Sequence, residues 1–334
     1  MSRRPTIRDV AEQAGVSIAT VSRVLNDRAD VSVETRERVR EVARSVGYTA
    51  DPSARALVTQ RTQLVAVVVG DNAGHRDLSL LFFGHVLSAI SRRLARAGYD
   101  ALLLQPAELG LHHRFDAAIL IGVDGSDPLV TDLWMRSLPY VGVDMRVGGH
   151  RNAFVGSDHA AGVRLALTHL YEFGHRRIAH VAGARNTVAG ADRIAAFWRE
   201  TRVLGLDLPD EYVREADFSS AGGYDATCAL LALAERPTAI LAASDLMALA
   251  ALAAIRDAGL QPGGDVAVVG FDDIEAASLA HPPLTTIRQN REKLGTIAAE
   301  RALELIEHAD LRPSDTILPV ELVVRASSNP GRAR

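Results

Sequence analysis

Apolar residues recur at helical spacing from the start of the chain: Ile7, Val10, Ala11 and Ala14 share one face of a 3.6-residue repeat. Thr6 stands just ahead with Asp9 three positions on, a pair able to satisfy the first free N–H groups of a helix. Gly15 stops the pattern where a chain must reverse without a Cβ clash. Ser17 then caps a second short helix whose inward residues are Val21, Val24 and Leu25. Two short helices about a glycine turn predict a helix-turn-helix. A third repeat runs through Val39, Val42, Ala43 and Val46 to Gly47. Arg36, Arg38, Arg40 and Arg44 line its outside, read here as a solvated face paired with Glu34, Glu37 and Glu41.

The outer face of the second helix carries Ile18, Ala19, Ser22, Arg23 and Asn26. A solvated face does not normally begin with isoleucine beside alanine. A face that meets base edges can, because apolar side chains contact the thymine methyl and arginine forks onto guanine. An ordinary αα-hairpin inside a helical core is the competing reading of this stretch alone. Past the third helix, Pro52 suits the first turn of a short helix over 52–59, too short to hold in water by itself. That segment is a linker, or a hinge that becomes helical when docked, with Leu57 as an apolar wedge and Arg55 and Arg61 near phosphates.

From Leu64 the texture changes. Continuous apolar runs at 64–69, 101–104, 117–121, 139–143, 178–182, 239–243 and 266–270 alternate with helical stretches near 81–97, 128–137, 158–173, 190–204, 222–234, 245–258 and 291–308. Apolar strands between helices predict parallel sheets covered on both faces, and their number predicts two lobes. One late strand is expected over 317–325, then a polar tail.

Net charge is −4 for the 334 residues, but the balance is uneven. Residues 1–61 hold eleven arginines against eight acids, so the basic end sits on an acidic body, as when one end alone meets phosphate. Lys293 is the sole lysine, which reads as codon bias towards arginine. The apolar runs are strand-sized, so no membrane span is expected. The mostly polar Thr6-Ile7-Arg8-Asp9 follows Arg3 and Arg4 where an export signal needs a continuous apolar stretch. One cysteine, Cys228, fits a reducing cytoplasm and reads as a packing residue on a small-residue helix face.

These residues resemble the lactose/galactose-repressor family of bacterial transcription regulators over essentially the whole chain. The resemblance rests on D-V-A-E-Q-A-G-V-S at 9–17, T-V-S-R-V-L-N at 20–26, E-T-R-E-R-V at 34–39, A-R-A-L at 54–57, A-S-D at 243–245, V-V-G-F-D-D at 268–273 and P-L-T-T-I-R-Q at 283–289, all in order. It implies an all-α helix-turn-helix head over 1–50, a hinge helix over 51–61, a two-lobed α/β core of parallel sheets like periplasmic sugar-binding proteins over 62–328, and a tail over 329–334. In such a protein Ile18, Ala19 and Arg23 read bases. Thr6, Ser17, Thr20 and Ser22 orient the head on phosphates, and Leu57 wedges into the minor groove. The core binds a metabolite between its lobes. Asp71 and Asp144 lie at C-terminal strand ends, where α/β ligands bind. Arg193, Phe218, Ser244 and Asp272 occupy the family's pocket positions, although Ser244 stands where many relatives have asparagine. Acids, a guanidinium and an aromatic face suit a sugar. A cytoplasmic homodimer on a pseudo-palindromic operator follows, without cofactor, acting as a repressor released by a sugar, with a nucleobase corepressor as the nearer rival.

An enzyme is the reading from another class. Asp272 and Asp273 imitate an acid pair and His112 and His113 metal ligands, but adjacent residues point apart, and no nucleotide-binding motif is present. An exported sugar-binding protein would match the core and leave the arginine-rich head unexplained.

Overall fold

The computed structural model describes residues 5–25, 30–48, 61–70, 79–105, 114–123, 127–146, 152–308, 310–311 and 314–328. The chain divides into two compact units, Met1–Gln63 and Leu64–Arg334. In the first, α1 (Ile7–Ala14), α2 (Ile18–Leu25) and α3 (Val33–Ser45) follow the apolar repeats. Val10, Val21, Val24 and Val39 are fully buried where the three meet, with Ala11, Ala14 and Ala43 around them. Gly15 takes φ 63° and Gly47 φ 67°, the left-handed stops that glycine supplies without strain.

The second unit opens with β1 (Leu64–Val69), α4 (Ser79–Arg96), β2 (Asp100–Leu104), β3 (Ala117–Ile121), α5 (Pro128–Met135), β4 (Tyr140–Val143) and β5 (Asn152–Ser157). There follow α6 (His159–Glu172), β6 (Ile178–Ala182), α7 (Val188–Val203), β7 (Val213–Glu215), α8 (Ser220–Leu231), β8 (Ala239–Ala242), α9 (Asp245–Asp257), β9 (Ala267–Asp272), α10 (Glu275–Leu279) and β10 (Thr285–Arg288). The described elements end with α11 (Arg291–Glu307), β11 (Thr316–Leu318) and β12 (Glu321–Val323).

Two six-stranded sheets result, ordered β2-β1-β3-β4-β5-β11 and β7-β6-β8-β9-β10-β12. All pairings are parallel except β10 with β12. Each sheet therefore reverses its winding beside its first strand, and the strands' carboxyl ends there form the crevice that such folds use for ligands. The lobes are joined three times: from β5 to α6, from β10 to α11, and from β11 to β12. After the second crossing α11 returns to the first lobe, laying Leu294, Ala298, Ala302 and Leu305 against Val86, Ile90 and Leu94 of α4.

Three results depart from the sequence reading. The late strand expected over 317–325 is two short strands in different sheets. Pro319 has no N–H for the ladder, and the chain crosses between lobes there. Strands β5, β7 and β10 lack a long apolar run and went unpredicted. Cys228 is exposed on α8, so it is not a packing residue. No helix among the described residues is long and apolar enough to cross a membrane.

Candidate functional site

Two sites emerge, one in each unit. In the head, burying Val21 and Val24 turns Ile18, Ala19 and Arg23 outward, and Ile18 keeps 44% of its surface exposed. Thr20 and Ser22 are partly buried beside them. The Ser17 hydroxyl accepts the Thr20 N–H at 3.0 Å, so Ser17 is the cap the sequence suggested. Thr6 is drawn onto Asp9, whose Oδ2 accepts its N–H at 2.6 Å and its hydroxyl at 2.7 Å. Arg23 Nε lies 3.6 Å from Asp30 Oδ2, both side chains more than half exposed. So exposed a pair is weak in water and can exchange its acid for another acceptor. Asn26, Arg55 and Leu57 lie outside the described residues, as do Asp71, His112 and His113.

In the core, a cluster of charge gathers where the two lobes face. Asp144 follows β4 of the first lobe with φ 49°, and its Oδ1 accepts the Ser157 N–H at 3.0 Å. That same oxygen lies 3.3 Å from His159 Nε2, at the start of α6. His159 Nδ1 in turn lies 3.3 Å from Arg193 Nη2. Arg193, only 3% exposed on α7, donates through Nη1 to the Ala243 carbonyl and lies 3.7 Å over the Phe271 ring. Gly162 on α6 lets that ring in, since a Cβ there would fall within 2.6 Å of its edge.

Two further acids complete the cluster. Asp272, at the end of β9 with φ 126°, accepts from Gln289 Nε2 at 2.7 Å. Asp245 is fully buried at the start of α9, where it accepts the Ile274 N–H at 2.9 Å and the Thr286 hydroxyl. Gly270 leaves room for it. The Ser244 hydroxyl accepts the Met247 N–H at 3.3 Å and so caps α9. Phe218 holds φ 66° between β7 and α8, its ring pressed on the backbone of Gly183, where a Cβ would fall inside it.

Burial sets the protonation of these groups first, and neighbouring charge second. Burial pushes Asp245 above the ordinary carboxylate range, and the charge of Asp272 adds to that. Burial also pushes Asp272 up, to about 6, although Arg193 and the Gln289 bond pull the other way. Asp144 goes down: burial opposes its charge, but His159, the Ser157 N–H and Arg193 together outweigh burial. Burial holds Arg193 below its usual value against Asp272, Asp144 and Asp245.

The linkage has a definite sign. Groups whose folded pKa is raised give stability that is complete below the unfolded value of 3.8 and is lost as pH rises through the folded one. Asp144 works the opposite way in acid, and so do His180, held down to about 4 by burial, and His175, whose stability contribution grows as pH rises to the unfolded value of 6.5. Above about pH 6.5 the raised acids act alone, so the thermal midpoint of the core is expected to fall by several degrees between about pH 7 and pH 9, and Asp245→Asn to flatten that fall. Calorimetry across the range checks this, and a midpoint rising with pH would contradict it.

Sequence reading had named Asp144, Arg193, Phe218, Ser244 and Asp272. The structure brings Asp144, Arg193 and Asp272 into one cluster, with Ser244 beside its Ala243 neighbour. His159, Phe271 and Gln289 were missed as site residues. Gln289 closes the P-L-T-T-I-R-Q stretch and could have been found from it, whereas His159 had no local signal. Among the described residues no group of three or more His, Cys, Asp or Glu is placed to hold a metal ion.

Comparison with known proteins agrees with both units. Residues 6–51 match the pattern described as bacterial regulatory proteins, lacI family, and residues 167–328 match the periplasmic binding protein-like domain. The HTH-type transcriptional regulator CelR of Thermobifida fusca is 35% identical over 97% of this chain and 98% of its own length. The crystal structure of the lac repressor dimer bound to operator and the anti-inducer ONPF superposes with a TM-score of 0.84 at 30% identity, over 98% of this chain and 99% of that one. A complex of CelR with cellobiose superposes with a TM-score of 0.74 at 33% identity, over 97% of this chain and all of that one.

Proposed function

This chain belongs to the lacI family of bacterial regulatory proteins, and from that premise we propose that it is a repressor whose grip on a DNA operator is set by a sugar held between the core lobes. The observation that carries the first half is the outward face of α2. Ile18, Ala19 and Arg23 stand clear of a head packed on Val21 and Val24, with apolar and guanidinium groups side by side as base edges require. Thr20, Ser22 and the Ser17 cap flank that face and reach phosphates, which position without specifying. The second half rests on the inter-lobe cluster. Asp144 and Asp272 offer carboxylate oxygens to hydroxyls and Arg193 a fork of donors, while Phe218, packed on Gly183 and without a contact to these three, would supply an aromatic surface for C–H bonds. A solved structure of CelR is a complex with cellobiose, so a short sugar of that kind is the first compound to test. As a homodimer in the cytoplasm the protein would meet a pseudo-palindromic site with both heads at once. Its relatives are regulators, and nothing in the cluster calls for catalysis.

The test is selection of an operator from random duplexes by the full-length protein, followed by titration of Arg23→Ala. The variant is expected to lose about 1–3 kcal/mol at one base position only. Equal loss on every sequence would demote Arg23 to a phosphate contact. Calorimetric titration with cellobiose, lactose and purine bases separates the sugar from the nucleobase.

A further inference from the structure

Asp272 and Asp273 are consecutive, and both hold φ in the left-handed region, at 126° and 52°. Side-chain-bearing residues stay there only when their surroundings impose it. The consequence is that two neighbouring carboxylates serve different partners. Asp272 belongs to the inter-lobe cluster and takes the Gln289 amide. Asp273, with a side chain 9% exposed, takes Arg288 Nε at 2.6 Å on one oxygen and Arg325 Nη2 at 2.6 Å on the other. Its carbonyl accepts from Arg291 Nη2 at 2.9 Å. Two adjacent residues thus hold Arg288, Gln289 and Arg291, which span the crossing from β10 to α11.

The grip extends to the third crossing. Arg288 stands opposite Glu321, the first residue of β12 after the chain has passed from lobe to lobe, in the antiparallel ladder of β10 with β12, and the exposed side-chain pair at 3.8 Å adds little to that. Arg325 is itself fixed, donating to the Leu284 carbonyl at 2.7 Å, so the Asp273 carboxylate ties the chain after β12 to the end of β10, where the crossing to α11 begins. A cavity of about 590 Å³ lies against these segments, lined among others by Asp273, Arg288 and Gln289. Space on that side lets the crossings shift without displacing packed atoms. Neither Asp273 nor Arg288 makes a hydrogen bond or ion pair with Asp144, Arg193 or Asp245.

We propose that Asp273 and Arg288 are positioning residues for Asp272 and carry its state to the lobe crossings. Whatever engages Asp272 turns the peptide it shares with Asp273, and a buried carboxylate that cannot stay unpaired drags Arg288, and with it the Glu321 corner. This rests on the reading of Asp272 as an effector contact. It adds two residues outside the pocket through which occupancy alters lobe orientation.

The experiment uses the full-length protein without effector. The titration of the Asp272 carboxyl is followed by carbon NMR, with Asp272→Asn as the assignment control. The groups that set it are Arg193, Gln289, Arg291, Asp144 and Asp245. Through-space charge alone would make Asp273→Asn lower the midpoint and Arg288→Gln raise it. Positioning predicts the same sign for both, a fall of about half to one pH unit, because a loosened turn lets water reach Asp272. An upward or absent shift in Arg288→Gln overturns the proposal. Arg288 is nearly half exposed, so that variant decides the matter even if Asp273→Asn fails to fold. Hydrogen exchange is the second readout. Asp272→Asn should speed exchange at amides 320–321, which it does not touch, by about tenfold, and unchanged exchange there also overturns the proposal. If the wild-type protein selects no operator and binds no sugar, the functional reading fails while both arms still judge this coupling.

Discussion

Val21→Asp abolishes specific operator binding, with a loss of at least about 10³-fold, while the core keeps its thermal transition. Val21 is fully buried on α2 with Val10, Val24 and Val39, in a head whose fully buried core, among the described residues, is seven small or medium apolar side chains ringed by partly buried ones. A unit of that size is marginal even when intact. A carboxylate at its centre has no partner to neutralise it, and its desolvation exceeds anything so small a core can offset. The α2 face then has no fixed geometry to offer a base pair. Because Leu64–Arg334 is a separate compact unit, its calorimetric transition is expected to stay in place. A variant that still footprints the operator would mean that α2 is not the reading element.

Arg193→Ala has the largest effect expected in the core. Arg193 is the buried cation among Asp144, Asp245 and Asp272, and it also covers Phe271. Removing one partner from buried charges costs about 3–5 kcal/mol, because the remaining charge is left uncompensated. In a unit of this size that lowers the thermal midpoint by roughly 6–20 °C. The loss is expected to be largest near pH 8 and smaller near pH 5, where Asp272, already pushed up to about 6, accepts a proton and relieves the repulsion. A dimer that survives should bind operator and ignore the sugar. Equal destabilisation at both pH values would show that packing on Phe271, and not charge, is what Arg193 supplies.

The head was legible at the level of single residues. Its helices are set by caps and apolar repeats within one or two turns, so Thr6, Gly15, Ser17 and Gly47 stand in the roles their spacing announced. The seven apolar strands were equally visible, because a strand covered on both faces must be apolar throughout. Short strands with mixed residues were not: β7 and β10 pair only because the sheet beside them offers a free edge. Pro319 carried the signal that the late strand must break, but not that its halves would enter different lobes.

The sequence by itself therefore determined the two-unit plan, the lobes and the outward face of α2, all of them consequences of periodicity between near neighbours. Tertiary structure alone decided the chemistry between the lobes. It brought Asp144, His159, Arg193, Asp245, Asp272 and Gln289 together from six elements or their ends. It also turned Asp273 away to hold Arg288. Whether a carboxyl there is charged depends on desolvation and on the distance to one buried arginine, quantities that belong to the packed core and to no stretch of chain.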